Sequence, residues 1–131
     1  MKPHVLCALV PLLVSAAGCA TLGGDEPLVV TAGSFSIAVD ARAYVNHPKV
    51  KITQGQTEIV WTASGGSIES LWIAFKPDAG HQPPDPVCVI RTCTLPAQSS
   101  AGKSGEFEYL VGVKMTNGNW KIRDPRLIII P

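Results

Sequence analysis

The chain has little charge and almost no imbalance of it. Of its 131 residues, 11 are Lys or Arg and 10 are Asp or Glu. No basic patch or stripe stands out, which argues against nucleic acid as a partner, and no run of like charge marks a tail. Helical spacing is also missing: no stretch longer than about two turns puts its apolar residues on one side of a helix. Catalytic motifs are scarce. No serine sits in a Gly-x-Ser-x-Gly elbow. Ala101-Gly102-Lys103-Ser104 has the ending of a phosphate loop, but Ala97 stands where the motif needs its first glycine, and a strand follows where it needs a helix. Glu106 and Glu108 share one strand face and read as solvated; their closeness would raise one carboxyl's pKa, but an exposed face screens that effect. Blue copper requires two His, one Cys and a weak axial Met. Beside Cys88 and Cys93, only His47, His81 and Met115 are on offer, and no His follows Cys93. Both histidines fall in turn or proline-rich segments. These observations predict no enzyme, no metal and no cofactor.

The first 18 residues have a definite pattern. Lys2 and His4 form a short polar start, Val5 to Val14 are apolar except for Pro11, and Ser15, Ala16, Ala17 and Gly18 are small. A charged start, an apolar run of about 7–15 residues and a small-residue cleavage site define a secretory signal. The apolar run falls short of the about 20 residues a membrane-spanning helix needs. Ala16-Ala17-Gly18-Cys19 resembles the bacterial lipobox, with Ala16 where that motif prefers Leu. The resemblance implies diacylglycerol on the Cys19 thiol, cleavage after Gly18 and acylation of the new amine. Several acyl chains together anchor stably, at about 0.8 kcal/mol per buried CH₂. Ala20 in place of Asp implies outer-membrane routing, facing the periplasm, if the source is Gram-negative.

The remaining cysteines agree with this reading. Cys7 leaves with the signal and Cys19 carries lipid, so Cys88 and Cys93 remain as a pair. An oxidising compartment favours a disulfide between them. Lys2 also leaves, and the mature chain balances at 10 basic and 10 acidic side chains. Its membrane contact would then come from lipid rather than from a polybasic stretch. Residues 19–27 read as a short lipidated tether and residues 28–131 as one domain.

Within that domain the apolar period is two. Phe35, Ile37 and Val39 alternate with polar or small residues, as do Val50 and Ile52, Leu71, Ile73 and Phe75, and Phe107, Tyr109, Val111, Val113 and Met115. Strict alternation marks strands with one buried face. Leu127 to Ile130 is continuously apolar and reads as a strand covered on both faces or placed near a sheet centre. Asn117-Gly118 predicts a hairpin joining the 106–116 strand to one near Trp120–Arg123. Two long loops interrupt the pattern: Lys76–Pro86, with four prolines, and Pro96–Gly105, rich in Ser, Gly and Ala. Long loops in compact domains are functional or mobile. His81, Pro83 and Pro84 in the first are therefore candidate partner contacts. Trp61 shares a strand face with Ile59 and Thr57, and one of the three tryptophans is expected to plug the core. Trp72 lies opposite Leu71, Ile73 and Phe75; it reads as core, and as a candidate partner contact if its face meets solvent.

Gly105-Glu106-Phe107-Glu108-Tyr109 followed by Asp124-Pro125-Arg126-Leu127-Ile128-Ile129-Ile130 resembles the ending of many short bacterial envelope domains of unknown function, over about residues 57–131. The resemblance implies a small Ig-like or cupredoxin-like domain. The expected fold is all-β, an antiparallel sandwich of about seven strands. The expected function is a lipid-anchored envelope protein with a non-catalytic binding or structural domain and an unidentified envelope partner. Two alternatives remain: a copper-handling or redox lipoprotein, and an accessory subunit or inhibitor of an envelope enzyme that presents the proline-rich loop.

Overall fold

A computed structural model describes residues 26–131; the signal segment, Cys19 and most of the tether lie outside the described residues. The described chain is almost wholly β. Its strands are β1 (Leu28–Val30), β2 (Gly33–Val39), β3 (Lys49–Thr53), β4 (Thr57–Ala63), β5 (Ile68–Phe75), β6 (Val87–Val89), β7 (Thr92–Leu95), β8 (Gly105–Met115), β9 (Trp120–Arg123) and β10 (Arg126–Ile130). They form a six-stranded sheet in the order β1-β3-β10-β8-β5, with β9 also on β8, and a four-stranded sheet in the order β2-β4-β7-β6. These are sheet 1 and sheet 2 below.

The alternation translates directly into burial. Ile37, Val39, Ile59, Trp61, Cys93 and Leu95 point inward from sheet 2. Val50, Ile52, Leu71, Ile73, Phe107, Tyr109, Val111, Val113, Leu127 and Ile129 do so from sheet 1, and both sets belong to one apolar cluster. Trp61 is fully buried within it and is the tryptophan that plugs the core. Its indole N–H donates to the Tyr109 hydroxyl at 3.2 Å, and the two rings meet edge-on with centroids 5.4 Å apart. This contact joins the sheets and satisfies the polar atom that a buried Trp otherwise leaves bare. Burial also pushes the Tyr109 phenol well above its ordinary pKa.

The expected antiparallel arrangement of about seven strands needs correction. Ten strands are present among the described residues, and three of the eight strand pairings are parallel: β1 with β3, β3 with β10, and β2 with β4. The reason is physical. A period of two reports which face a residue takes and is blind to strand direction. The turns at Gln54–Gln56 and Ser64–Ser67 also carry the chain from one sheet to the other, so β4 pairs with neither β3 nor β5. The Asn117-Gly118 hairpin forms as expected, with Gly118 at φ 93° and β8 paired to β9. β10 lies between β3 and β8, near the sheet centre as expected; Leu127 and Ile129 are buried, whereas Ile128 and Ile130 lie half-buried on the outer face.

Candidate interaction surface

The outer face of sheet 1 follows from its register. Inward Leu71, Ile73, Val111 and Val113 force Trp72, Ala74, Leu110 and Gly112 outward. Trp72 pairs with Gly112, Gly112 with Ile122 of β9, and Trp120 with Lys114. Gly112 therefore forms the floor between two indoles. A Cβ placed on it would lie 3.1 Å from the Trp72 ring and 3.3 Å from the Trp120 ring. A side chain here would push one or both rings away, so glycine suits their close approach to the backbone. Trp72 is 44% exposed, Trp120 51% and Ile122 60%. The core placement of Trp72 is thus corrected: no layer covers this face among the described residues.

An ion-pair network borders the aromatic patch. Lys76 Nζ lies 3.0 Å from both Glu108 Oε1 and Asp124 Oδ2. Arg126 Nη1 lies 2.7 Å from Glu106 Oε2, and Nη2 lies 3.3 Å from Glu108 Oε2. The hydrogen bond from Arg126 holds the Glu106 carboxyl below its ordinary pKa, and that from Lys76 does the same for Asp124. Cationic neighbours, not the adjacent like charge, set the direction for Glu106. Lys76 and Arg126 are raised in return, chiefly by hydrogen bonds to Asp124 and to Glu106 respectively.

The other sequence candidates lie elsewhere. His81 and Pro84 are exposed on the proline-rich loop, whereas Pro83 is buried and presents nothing to a partner. His81 lines a depression with Gly80, Gly102, Lys103 and Ser104, so the two long loops do come together. Trp72 is not part of it. The second loop is pinned rather than free. It contains a 3₁₀ turn, Ala97–Ser100, whose buried Ser100 accepts a hydrogen bond from Gly55 N at 2.8 Å and donates to Ala97 O at 3.1 Å. Gly102 N donates to Gln54 Oε1 at 2.7 Å.

Cys88 and Cys93 form the expected disulfide. They are directly opposed in the β6–β7 hairpin, with Cα atoms 3.9 Å apart. Among the described residues, both cysteine sulfurs that could serve a Cys-ligated copper site are thus joined to each other. His47 packs on Phe35 and lines a different depression from His81.

Sequence reading missed Trp120, Gly112 and Ile122 as parts of this surface. The signal was present. A tight Asn-Gly turn fixes the β8–β9 register, and that register places Trp120 opposite Lys114, on the face of Gly112. No protein-family model matches the chain, and no curated protein matches it.

Proposed function

We propose that this chain is a lipid-anchored cell-envelope protein whose β domain is a non-catalytic binding module that works through the outer face of sheet 1. The observation that carries the binding role is the pair of exposed tryptophans laid over Gly112. Large aromatics are expensive to leave in water and are enriched where proteins make contacts. The anchor rests on Ala16-Ala17-Gly18-Cys19, with an outer-membrane position facing the periplasm in a Gram-negative cell. The two sheets form a sandwich of the Ig-like or cupredoxin-like kind, a reading supported by the single core they share and by the Trp61–Tyr109 contact between them.

Metabolic labelling with a palmitate analogue tests the anchor. Cys19→Ser should abolish label and release the protein from membranes while the β domain still folds; label that survives the substitution contradicts the reading. For the binding role, photo-crosslinking groups placed at Trp72 and at Ser36, on the outer face of sheet 2, should differ in intact envelopes. Capture is expected from the first site only, and equal capture from both would remove the role given to the tryptophans.

A further inference from the structure

The two outer faces differ in chemistry. The face of sheet 2 mixes hydroxyl residues (Ser34, Ser36, Thr62, Thr92 and Thr94) with the aliphatic Val60, Val87 and Val89, and its strands place no aromatic ring outward. Its strands carry one outward charge, Glu58, which accepts a hydrogen bond from Ser34 at 2.8 Å. The face of sheet 1 carries Trp72, Trp120 and Ile122 at one side and exposed Val29 at the other. Its carboxylates Glu69, Glu106, Glu108 and Asp124 each have a Lys or Arg within 4.0 Å. Lys49 and Lys51 on β3 point outward beside buried Val50 and Ile52; among the described residues neither has a carboxylate within 4.0 Å, although Lys49 is near enough to Glu106 to help lower its pKa. Three cations serve these four carboxylates, so with Lys49 and Lys51 the face of sheet 1 carries a positive excess of one, whereas the strands of sheet 2 carry a single outward negative charge.

We infer that sheet 1 is the side on which the domain rests against an anionic phospholipid surface. Trp72, Trp120 and Ile122 enter the interface, and Lys49 and Lys51 meet the headgroups. The inference rests on the lipid anchor proposed above and names what the aromatic face contacts. Indole rings settle at the water–hydrocarbon boundary, where an apolar body and a polar N–H are both satisfied. Each lysine near an anionic leaflet strengthens attachment about fivefold. The length of chain agrees. Eight residues, and so nine chain steps, separate Cys19 from Leu28, a reach of about 30 Å. Leu28 opens the edge strand of this same sheet, and its four strand spacings to β5 span about 19 Å. A lipid at Cys19 therefore leaves enough chain for the whole face to lie flat. A second copy of the domain is a poorer occupant: a stable dimer buries about 800 Å² on each partner, far more than three part-exposed side chains supply.

The test uses the full, lipidated protein reconstituted into phosphatidylglycerol/phosphatidylethanolamine vesicles whose acyl chains are brominated. Flotation reports the anchor. Emission from Trp72 and Trp120 reports the face, with buried Trp61 as internal reference. Bromolipid should quench the surface tryptophans and vesicles should shield them from iodide. Trp72→Phe with Trp120→Phe should abolish the lipid quenching. Lys49→Gln and Lys51→Gln should each reduce the face-down population about fivefold. Protein that floats but shows iodide-accessible tryptophans and no lipid quenching overturns the inference and leaves the anchor standing. Iodide shielding without lipid quenching means that a second copy or another protein covers the face, and also overturns it. Protein that does not float removes the anchor and this inference together.

Discussion

At the residue scale, the Trp61–Tyr109 pair shows how a polar atom is accommodated in a small core. The indole N–H has one acceptor, the Tyr109 hydroxyl, and both side chains are buried. Tyr109→Phe keeps nearly all of the packing and leaves that N–H without a partner. The expected cost is about 1–3 kcal/mol, the penalty for an unsatisfied buried donor. Urea denaturation measures it, and an unchanged midpoint would mean that the bond contributes nothing. The sequence put Trp61 on one strand face with Thr57 and Ile59 and called for one buried tryptophan, without deciding which. It could not identify the acceptor, since Tyr109 lies 48 residues away in the other sheet.

Two elements matter beyond their strand pairing. One is the β6–β7 hairpin. Its disulfide closes a short loop, worth about 2 kcal/mol in the chain-entropy model. Arg91 at its turn donates to the carbonyls of Ile68, Ala63 and Gly65, while Leu71 N donates to Ile90 O at 2.8 Å. The hairpin thus secures the turn through which the chain passes from sheet 2 to sheet 1, and it engages the edge of β5. The other is the Pro96–Gly105 loop. Its composition suggested mobility, but Ser100 and Gly102 fasten it to the β3–β4 turn. Ser100→Ala should cost about 1 kcal/mol or somewhat more by leaving Gly55 N–H unpaired. Hydrogen exchange should quicken at Gly55 and across residues 97–103, with β8 unaffected. Unchanged exchange there would show that the serine does not hold the loop. A Ser/Gly/Ala-rich composition cannot distinguish a pinned loop from a free one, because the hydroxyl's partner is 45 residues distant.

For the whole molecule, the outer-face ion pairs make stability depend on pH in a definite direction. Glu106 and Asp124 have lowered folded pKa values. Their contribution is present above the ordinary carboxylate range and is lost as pH falls through the lowered values. Lys76 and Arg126 are raised, so theirs is present below their ordinary ranges and lost as pH rises through the raised values. The groups are exposed, so the effect is small and screened by salt. Lys76→Met should be less stable than the parent protein near neutral pH, and the difference should shrink on acidification through the carboxylate range or at high salt. A gap indifferent to both would assign the loss to packing of the lysine stem.

The amino-acid sequence by itself determined what local patterning can determine: the strand faces, the Asn117-Gly118 hairpin, the face that Trp61 shares with Ile59, and the Cys88–Cys93 pair. Each follows from spacing within a few residues, because the side-chain period of a strand is two and a tight turn fixes register. Tertiary structure alone decided the parallel pairings, the hold of Ser100 on its loop, and the exposure of Trp72. Whether a strand's second face meets water depends on what other elements are laid across it. In this domain the described chain lays nothing over the outer side of sheet 1, and register then brings Trp72 and Trp120 together over Gly112.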